Sequence, residues 1–186
     1  MRIIAGTAGG RVFEAPKGLD TRPTLDRVKE GIFGSLQFDI PYSDVLDLFS
    51  GSGNLGLEAA SRGAKRVVCN DHDAGCAAMI TDNAKVLGLD GIVSVLQLDY
   101  RDAIARLMQR NECFDIVFLD APYYQNVAQN ACELLFRGGM IKDGGVVVVE
   151  HDFKLPPHPI EGLMRVRKTK KYGICGVTML QKEDVL

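Results

Sequence analysis

The chain has no run of about 18 apolar residues, so no segment reads as a membrane span. Its first residues, Met1-Arg2-Ile3-Ile4-Ala5-Gly6, lack the long apolar region of a secretory signal and soon reach Gly9-Gly10-Arg11. A cytoplasmic protein is the expectation. The cysteines (Cys69, Cys76, Cys113, Cys132 and Cys175) are odd in number and scattered, and none forms a C-x-x-C pair. In a reducing compartment they read as small core or surface residues. His72, His151 and His158 show no ligand spacing, and no metal is expected. Internal repeats and low-complexity segments are absent. The formal net charge is only −2, too little for a protein that coats a polyanion by bulk electrostatics.

What remains is an ordinary globular composition, 46% hydrophobic and 25% charged, over 186 residues, which is enough for one domain with a substantial core. The charge is unevenly spread. Basic residues gather near the start (Arg2, Arg11, Lys17, Arg22, Arg27, Lys29) and near the end (Arg165, Arg167, Lys168, Lys170, Lys171), with acidic residues through the middle. Such runs are either solvated faces or two patches that grip a polyanion.

Residues 1–15 read as a short hairpin around a Gly-Thr-Ala-Gly-Gly turn, part of an N-terminal extension over residues 1–20. A leading helix follows within residues 21–40, with Leu25, Val28, Ile32 and Leu36 at helical intervals. From Asp44 the chain alternates strand and helix over residues 44–182. Strands are expected at Asp44–Leu48, Arg66–Asn70, Ile92–Leu98, Phe114–Leu119 and Gly145–Glu150, and helices at Asn54–Arg62, Ala74–Leu87, Arg101–Gln109 and Val127–Phe136. That order predicts a mostly parallel α/β sheet with helices on both faces. Two last strands, Leu163–Thr169 and Ile174–Leu180, have no helix between them and should form an antiparallel hairpin through Lys170-Lys171-Tyr172-Gly173.

The stretch from Val45 to Ala60 organises the rest. It reads as a strand, the turn Ser50-Gly51-Ser52-Gly53, and a helix that opens on Asn54, an N-cap-like residue. Glycines let a ligand approach the backbone, and a helix N-terminus offers unpaired N–H groups, so a cofactor site is expected. Gly51, Gly53 and Gly56 also satisfy G-x-G-x-x-G, which leaves a dinucleotide open. In an open sheet the ligand sits outside the carboxyl ends of the strands. Four acids stand at such ends: Asp47, Asp71, Asp99 and Asp120. Asp71 is placed for ribose hydroxyls, with Asp73 capping the next helix. Asp99 is placed for an adenine amine, bordered by Tyr100 and rivalled by Asp102. Asp120-Ala121-Pro122-Tyr123 combines an acid, a stiffened turn and an aromatic ring. Such a group can stack on a planar base and bind its exocyclic amine; equally, the acid of a strand-to-helix turn can cap a helix.

With these residues assembled, the chain resembles the class I S-adenosylmethionine-dependent methyltransferases, and within them the RsmD-like 16S rRNA guanine-N2 methyltransferases. The resemblance runs nearly end to end. It is carried by Met1–Gly6 with Gly10-Arg11, by Arg22-Pro23-Thr24-Leu25-Asp26-Arg27-Val28-Lys29-Glu30, and by Asp47-Leu48-Phe49-Ser50-Gly51-Ser52-Gly53-Asn54-Leu55-Gly56-Leu57-Glu58-Ala59 with Ser61-Arg62-Gly63-Ala64. It implies a Rossmann-like seven-stranded sheet and S-adenosyl-L-methionine as cofactor. It also implies 16S ribosomal RNA as partner, within a small-subunit particle. Asp47, Phe49, Gly51, Gly53, Gly56, Asp71, Asp99 and Tyr100 would surround the cofactor, and Asp120, Ala121, Pro122 and Tyr123 the target base. Arg2, Arg11, Arg22, Arg165, Arg167, Lys168, Lys170 and Lys171 would hold RNA phosphates, with Tyr172 as an extra stacking surface. Monomer is the default expectation. The family's usual Asp-Pro-Pro-Tyr or Asp-Pro-Pro-Phe has Ala121 at its first proline here, which keeps the backbone carbonyl and gives up stiffness. Two other readings stay open at this point: an NAD-dependent oxidoreductase on the same glycines, and a non-catalytic RNA-binding or ribosome-assembly protein on this fold.

Overall fold

A computed structural model describes residues 1–15, 23–122 and 126–183, with the side chains of residues 23–25 set aside. Arg22 and Tyr123, both expected at functional positions, lie outside the described residues. The elements run α1 (Pro23–Ser35), β1 (Asp44–Asp47), α2 (Asn54–Ser61), β2 (Arg66–Asn70), α3 (Ala74–Leu87) and β3 (Val93–Leu96). They continue with α4 (Tyr100–Gln109), β4 (Phe114–Leu119), α5 (Val127–Arg137), β5 (Ile141–Asp152), β6 (Met164–Tyr172) and β7 (Cys175–Lys182). The strands form one sheet in the order β3-β2-β1-β4-β5-β7-β6. β1 to β5 pair in parallel, while β7 runs antiparallel between β5 and β6.

The period-2 alternation of the strands sorts side chains to two cores. Val45, Val67, Cys69, Ile116, Phe118, Val146 and Val148 face α1, α2 and α3, where Val28, Ile32, Leu57 and Ile80 are buried. Leu46, Val68, Val117, Leu119, Val147 and Val149 face α4 and α5, meeting Ile104, Leu107, Leu135 and Phe136. Helices on both faces explain why the central strands read as nearly continuous apolar runs.

Three local expectations change. β6 runs on to Tyr172, so the turn to β7 is tighter than expected and takes in Gly173 and Ile174. Tyr172 is not a free stacking surface: its phenol packs against Gly31 of α1, at a place where no Cβ would fit. Residues 1–13 do turn back on themselves, but only one bridge, Arg2 to Val12, links the two arms. Backbone hydrogen bonds from Ile3 to Arg11 (2.9 Å) and from Gly10 to Ile3 (2.8 Å) complete the arc.

The arc is held by charge as well as by backbone. Glu58, fully buried on α2, accepts the amides of Ile4 and Ala5 at 2.8 and 3.0 Å, Arg62 Nε at 2.7 Å, and pairs with Lys29 Nζ at 3.1 Å. Lys29 therefore does not belong to a surface patch. It is buried on α1, and Nζ also donates to Arg2 O (2.7 Å) and Asn54 Oδ1 (2.9 Å). Burial lowers its pKa, opposed mainly by the Glu58 carboxylate. Arg11 is likewise engaged, donating to the carbonyls of Val86 and Leu87 at the end of α3, as a basic side chain at a helix C-terminus can.

Candidate active site

The glycine turn is shaped from below. β1 ends at Asp47, which is almost completely buried, and its Oδ2 accepts the Gly56 amide at 2.8 Å. Gly56 itself packs face to face with the strands: a Cβ there would lie 2.6 Å from Cys69 Sγ and 3.2 Å from Asp47 Oδ2. Its role is helix–sheet approach, not ligand contact. Gly53 takes φ 83° just before α2, a conformation that suits glycine, and it rather than Asn54 occupies the N-cap position. Asn54 instead turns its side chain to Lys29. Gly51 is the glycine that faces open space, and its amide donates to Asp71 Oδ2 at 2.8 Å.

This turn forms one wall of a cavity of about 560 Å³, lined on its other sides by Phe49, Asp71, Asp99, Tyr100, Asp120 and Pro122. The four strand-end regions named from the sequence thus converge, although Asp47 lines a smaller neighbouring space. Asp71 Oδ1 also accepts the Asp73 amide at 3.0 Å, and Asp73 caps α3 through the Cys76 amide as expected. Asp99 caps α4 through the Arg101 amide at 2.9 Å while lining the cavity. Asp102 lies within the first turn of α4, outside that lining, so of the two acids it is Asp99 that borders the cavity. Tyr100 stacks obliquely with Phe49, centroids 5.5 Å apart, and its buried hydroxyl has no hydrogen-bond partner among the described residues.

Three carboxylates form a row across adjacent strands, Asp47 at the end of β1, Asp120 just after β4, and Glu150 inside β5, which runs on to Asp152. In the parallel registers Asp47 pairs with Phe118 and Leu119 with Val149, so the next residues, Asp120 and Glu150, stand on neighbouring strands at one level. Asp47, Asp120 and Glu150 all line a small space of about 30 Å³ beneath Val28 and Lys29 of α1. Glu150 escapes a reading of the sequence because it ends a buried valine run and looks like the strand's first solvated residue. Its only local signal is that it makes a fifth acid after an apolar run.

The row raises proton affinity. Burial pushes Asp47 up to about 7, against the Gly56 amide and Ser50 hydroxyl, with Asp71 adding repulsion. Its Oδ1 has no hydrogen-bond partner among the described residues. Asp120 meets the open cavity yet is enclosed by protein on its other sides. That enclosure first, and then the charges of Glu150 and Asp47, hold its pKa well above the usual carboxylate range. The folded state therefore keeps a proton on Asp47 that the unfolded chain loses near pH 4, by roughly the ordinary aspartate value. The resulting loss of stability is absent below about pH 4, grows as pH rises and is complete above about 7. Asp47→Asn removes this slope. Its unfolding free energy relative to wild type should rise across that window and then level off, as denaturant titrations at several pH values would show.

Of the basic residues, Arg2 is largely exposed and pairs with Asp26 at 3.4 Å. On β6, Arg167 pairs with Asp39 at 3.3 Å, Lys168 reaches Ser35 Oγ at 3.4 Å and Lys170 reaches Gly31 O at 3.5 Å. Lys171 lies 4.5 Å from the Phe153 ring centroid, and Arg165 donates to Gln181 at 3.4 Å. They remain on the surface, but several lean on α1. Among the described residues no group of histidine, cysteine, aspartate and glutamate is arranged to hold a metal, and no helix is long and apolar enough to cross a membrane.

Solved structures share this architecture. The Escherichia coli protein yhhF superposes with a TM-score of 0.84 at 30% identity, covering 98% of each chain. In fold alone, an RNA methyltransferase from Salinibacter ruber, solved with S-adenosyl-L-homocysteine, matches with a TM-score of 0.64 at 20% identity over 90% of this chain and 97% of that one. The fold is the Rossmann-like one of the class I methyltransferases. Residues 1–181 match the family described as conserved hypothetical protein 95. Ribosomal RNA small subunit methyltransferase D of Haemophilus influenzae is 36% identical over 160 residues, covering 84% of this chain and 81% of that protein. Its namesake of Escherichia coli K12 is 30% identical over 183 residues, covering 98% and 90%. The chain belongs to this family, the RsmD family.

Topology also sets aside the dinucleotide alternative. A dinucleotide-binding domain orders its parallel strands 3-2-1-4-5-6, whereas here antiparallel β7 is inserted between β5 and β6. The named relatives are methyltransferases, which leaves the non-catalytic reading without support.

Proposed function

We propose that the protein transfers a methyl group from S-adenosyl-L-methionine to the exocyclic N2 amine of a guanine in 16S ribosomal RNA, acting as a monomer on a small-subunit particle. The observation that carries this reading is the position of Asp120, at the end of β4 and facing the cavity that the glycine turn opens. The cavity suits the cofactor. Gly51 leaves room for close approach, Asp71 and Asp99 offer acceptors for ribose and adenine, and the Tyr100 hydroxyl awaits a partner. The carboxylate row suits a cation, which would lower the raised pKa values and leave Asp120 charged.

Bound there, the cofactor supplies an electrophilic sulfonium methyl for direct displacement. A guanine amine is a weak nucleophile because its lone pair is shared with the ring. Asp120 and the Ala121 carbonyl accept its hydrogens, favour a pyramidal nitrogen and stabilise the positive charge that develops on it. Asp120, charged beside the cofactor's cation, then takes the departing proton. Tyr123 is assigned the stacking contact that aligns the base.

The test is incubation of unmodified small-subunit particles with the protein and labelled cofactor, followed by nucleoside analysis. Label in N2-methylguanosine supports the reading; no label, or label only in N6-methyladenosine, overturns it. The strand β6 is assigned the surrounding phosphates. Lys168→Ala combined with Lys171→Ala should weaken RNA binding and reduce its salt slope by roughly 1.5, with cofactor affinity retained. Filter binding across a salt series checks this, and an unchanged slope would remove β6 from the interface.

A further inference from the structure

We propose that Ile174, at the tip of the β6–β7 hairpin, is a wedge that enters the RNA stack as the target guanine leaves it; this rests on the guanine reading above and adds how the base is brought out. A guanine stacked in folded RNA cannot reach Asp120, and extruding it gives up its stacking and pairing. Proteins that open a nucleic-acid stack commonly do so with an apolar side chain such as isoleucine.

Strand registers place the tip. Leu119 pairs with Val149 and Glu150 with Val177, so Asp120 just past β4, Glu150 on β5 and Val177 on β7 stand level on neighbouring strands. β4 stops there, whereas β5 and β7 stay paired as far as Asp152 and Cys175, and the turn lies beyond that pair. Gly173 and Ile174 therefore rise about 10 Å past the level of Asp120 and stand about 10 Å to its side, two strands away. The hairpin forms a raised wall beside the catalytic acid, on the side of the sheet opposite the cofactor turn.

The residue at the tip is unusual for its place. Tyr172 and Cys175 pair across a two-residue loop in which Gly173 takes φ 66° and Ile174 a negative φ. That is the pattern of a type II′ turn, whose second position commonly holds asparagine, aspartate or serine. Isoleucine stands there instead, 86% exposed and outside both cores. Leu155, on the segment after β5, is also exposed, and Phe153 joins that segment to the tip by donating its amide to Ile174 O at 2.9 Å. The tip is firmly based: the Tyr172 phenol is seated on Gly31, and Lys171 Nζ lies 4.5 Å from the Phe153 ring centroid. A projection already held in place loses little freedom on insertion. Lys170 and Lys171 precede the turn, and their charge suits a partner lined with phosphates.

The experiment compares wild type with Ile174→Asn, which suits the turn, and Ile174→Leu, which keeps the apolar bulk. Once the modified guanine has been located, particles are reconstituted with 2-aminopurine at the neighbouring nucleotide, whose fluorescence rises when its stacking partner leaves. Wild type and Ile174→Leu should brighten it on binding, and Ile174→Asn should bind yet leave it dark. On unlabelled particles at saturating enzyme, Ile174→Asn should methylate about 30-fold more slowly, the scale of one large apolar side chain's burial. Its affinity for S-adenosylhomocysteine should be unchanged, which separates the loss from misfolding. Ile174→Asn that brightens the probe and methylates like wild type would overturn the proposal. So would wild type that methylates without brightening it, or an Ile174→Asn protein that no longer binds the particle, since the tip would then be an anchoring contact to RNA or ribosomal protein. Failure of wild type to methylate guanine at all would instead refute the functional reading on which this one rests.

Discussion

Asp120→Ala should lower methyl transfer about a thousandfold at saturating cofactor while S-adenosylhomocysteine still binds, as calorimetry would record. The expected size is that of removing one preorganised group aimed at developing charge. The substitution takes away the acceptor that orients the amine and the base that receives its proton, but it leaves the glycine turn, Asp71 and Asp99 in place. Asp120→Asn separates these contributions. Asparagine keeps one acceptor oxygen and loses the charge, so its rate should fall between those of wild type and alanine. Alanine as active as wild type would refute the assigned role of Asp120.

The second large effect concerns folding. Glu58→Ala should cost about 3–5 kcal/mol, the penalty of leaving a buried cation without its counter-ion. Four donors converge on this one carboxylate, from Lys29, Arg62, Ile4 and Ala5, and none is offered a replacement by alanine. For a chain of this size that corresponds to a fall in melting temperature of roughly 6–20 °C. Glu58→Gln, which retains an acceptor for the amides, should lose less. A shift no larger than that of a surface substitution would show that the N-terminal arc does not depend on this network. The consequence for function is direct: Asn54, next to the glycine turn, shares Lys29 with Glu58, so loosening the arc also loosens a wall of the site.

The third glycine shows how a motif can be read correctly in position and differently in role. G-x-G-x-x-G marks the turn, yet only Gly51 faces the cavity, while Gly56 permits the approach of α2 to Cys69 and Asp47. Arg11 and Lys29 teach the same lesson for charge. Their place in a basic cluster suggested a phosphate-binding surface, but one ends α3 and the other is buried against Glu58. Composition reports how many cations a chain carries; it says nothing about which carbonyl or carboxylate each will meet.

Local periodicity was sufficient for much of this protein. β2, α3 and β4 match their expected spans, because alternation of period 2 and of 3.6 is written in neighbouring residues. The acids at the ends of β1 and β4, and those following β2 and β3, were legible for the same reason, since each closes an apolar run. Tertiary structure alone decided the insertion of β7 between β5 and β6, the packing of Tyr172 on Gly31, and the row of Asp47, Asp120 and Glu150. Each depends on registers between segments dozens of residues apart. Such pairings are selected by burial of both sheet faces and by backbone hydrogen bonding across the whole sheet, neither of which leaves a mark in any short stretch of sequence.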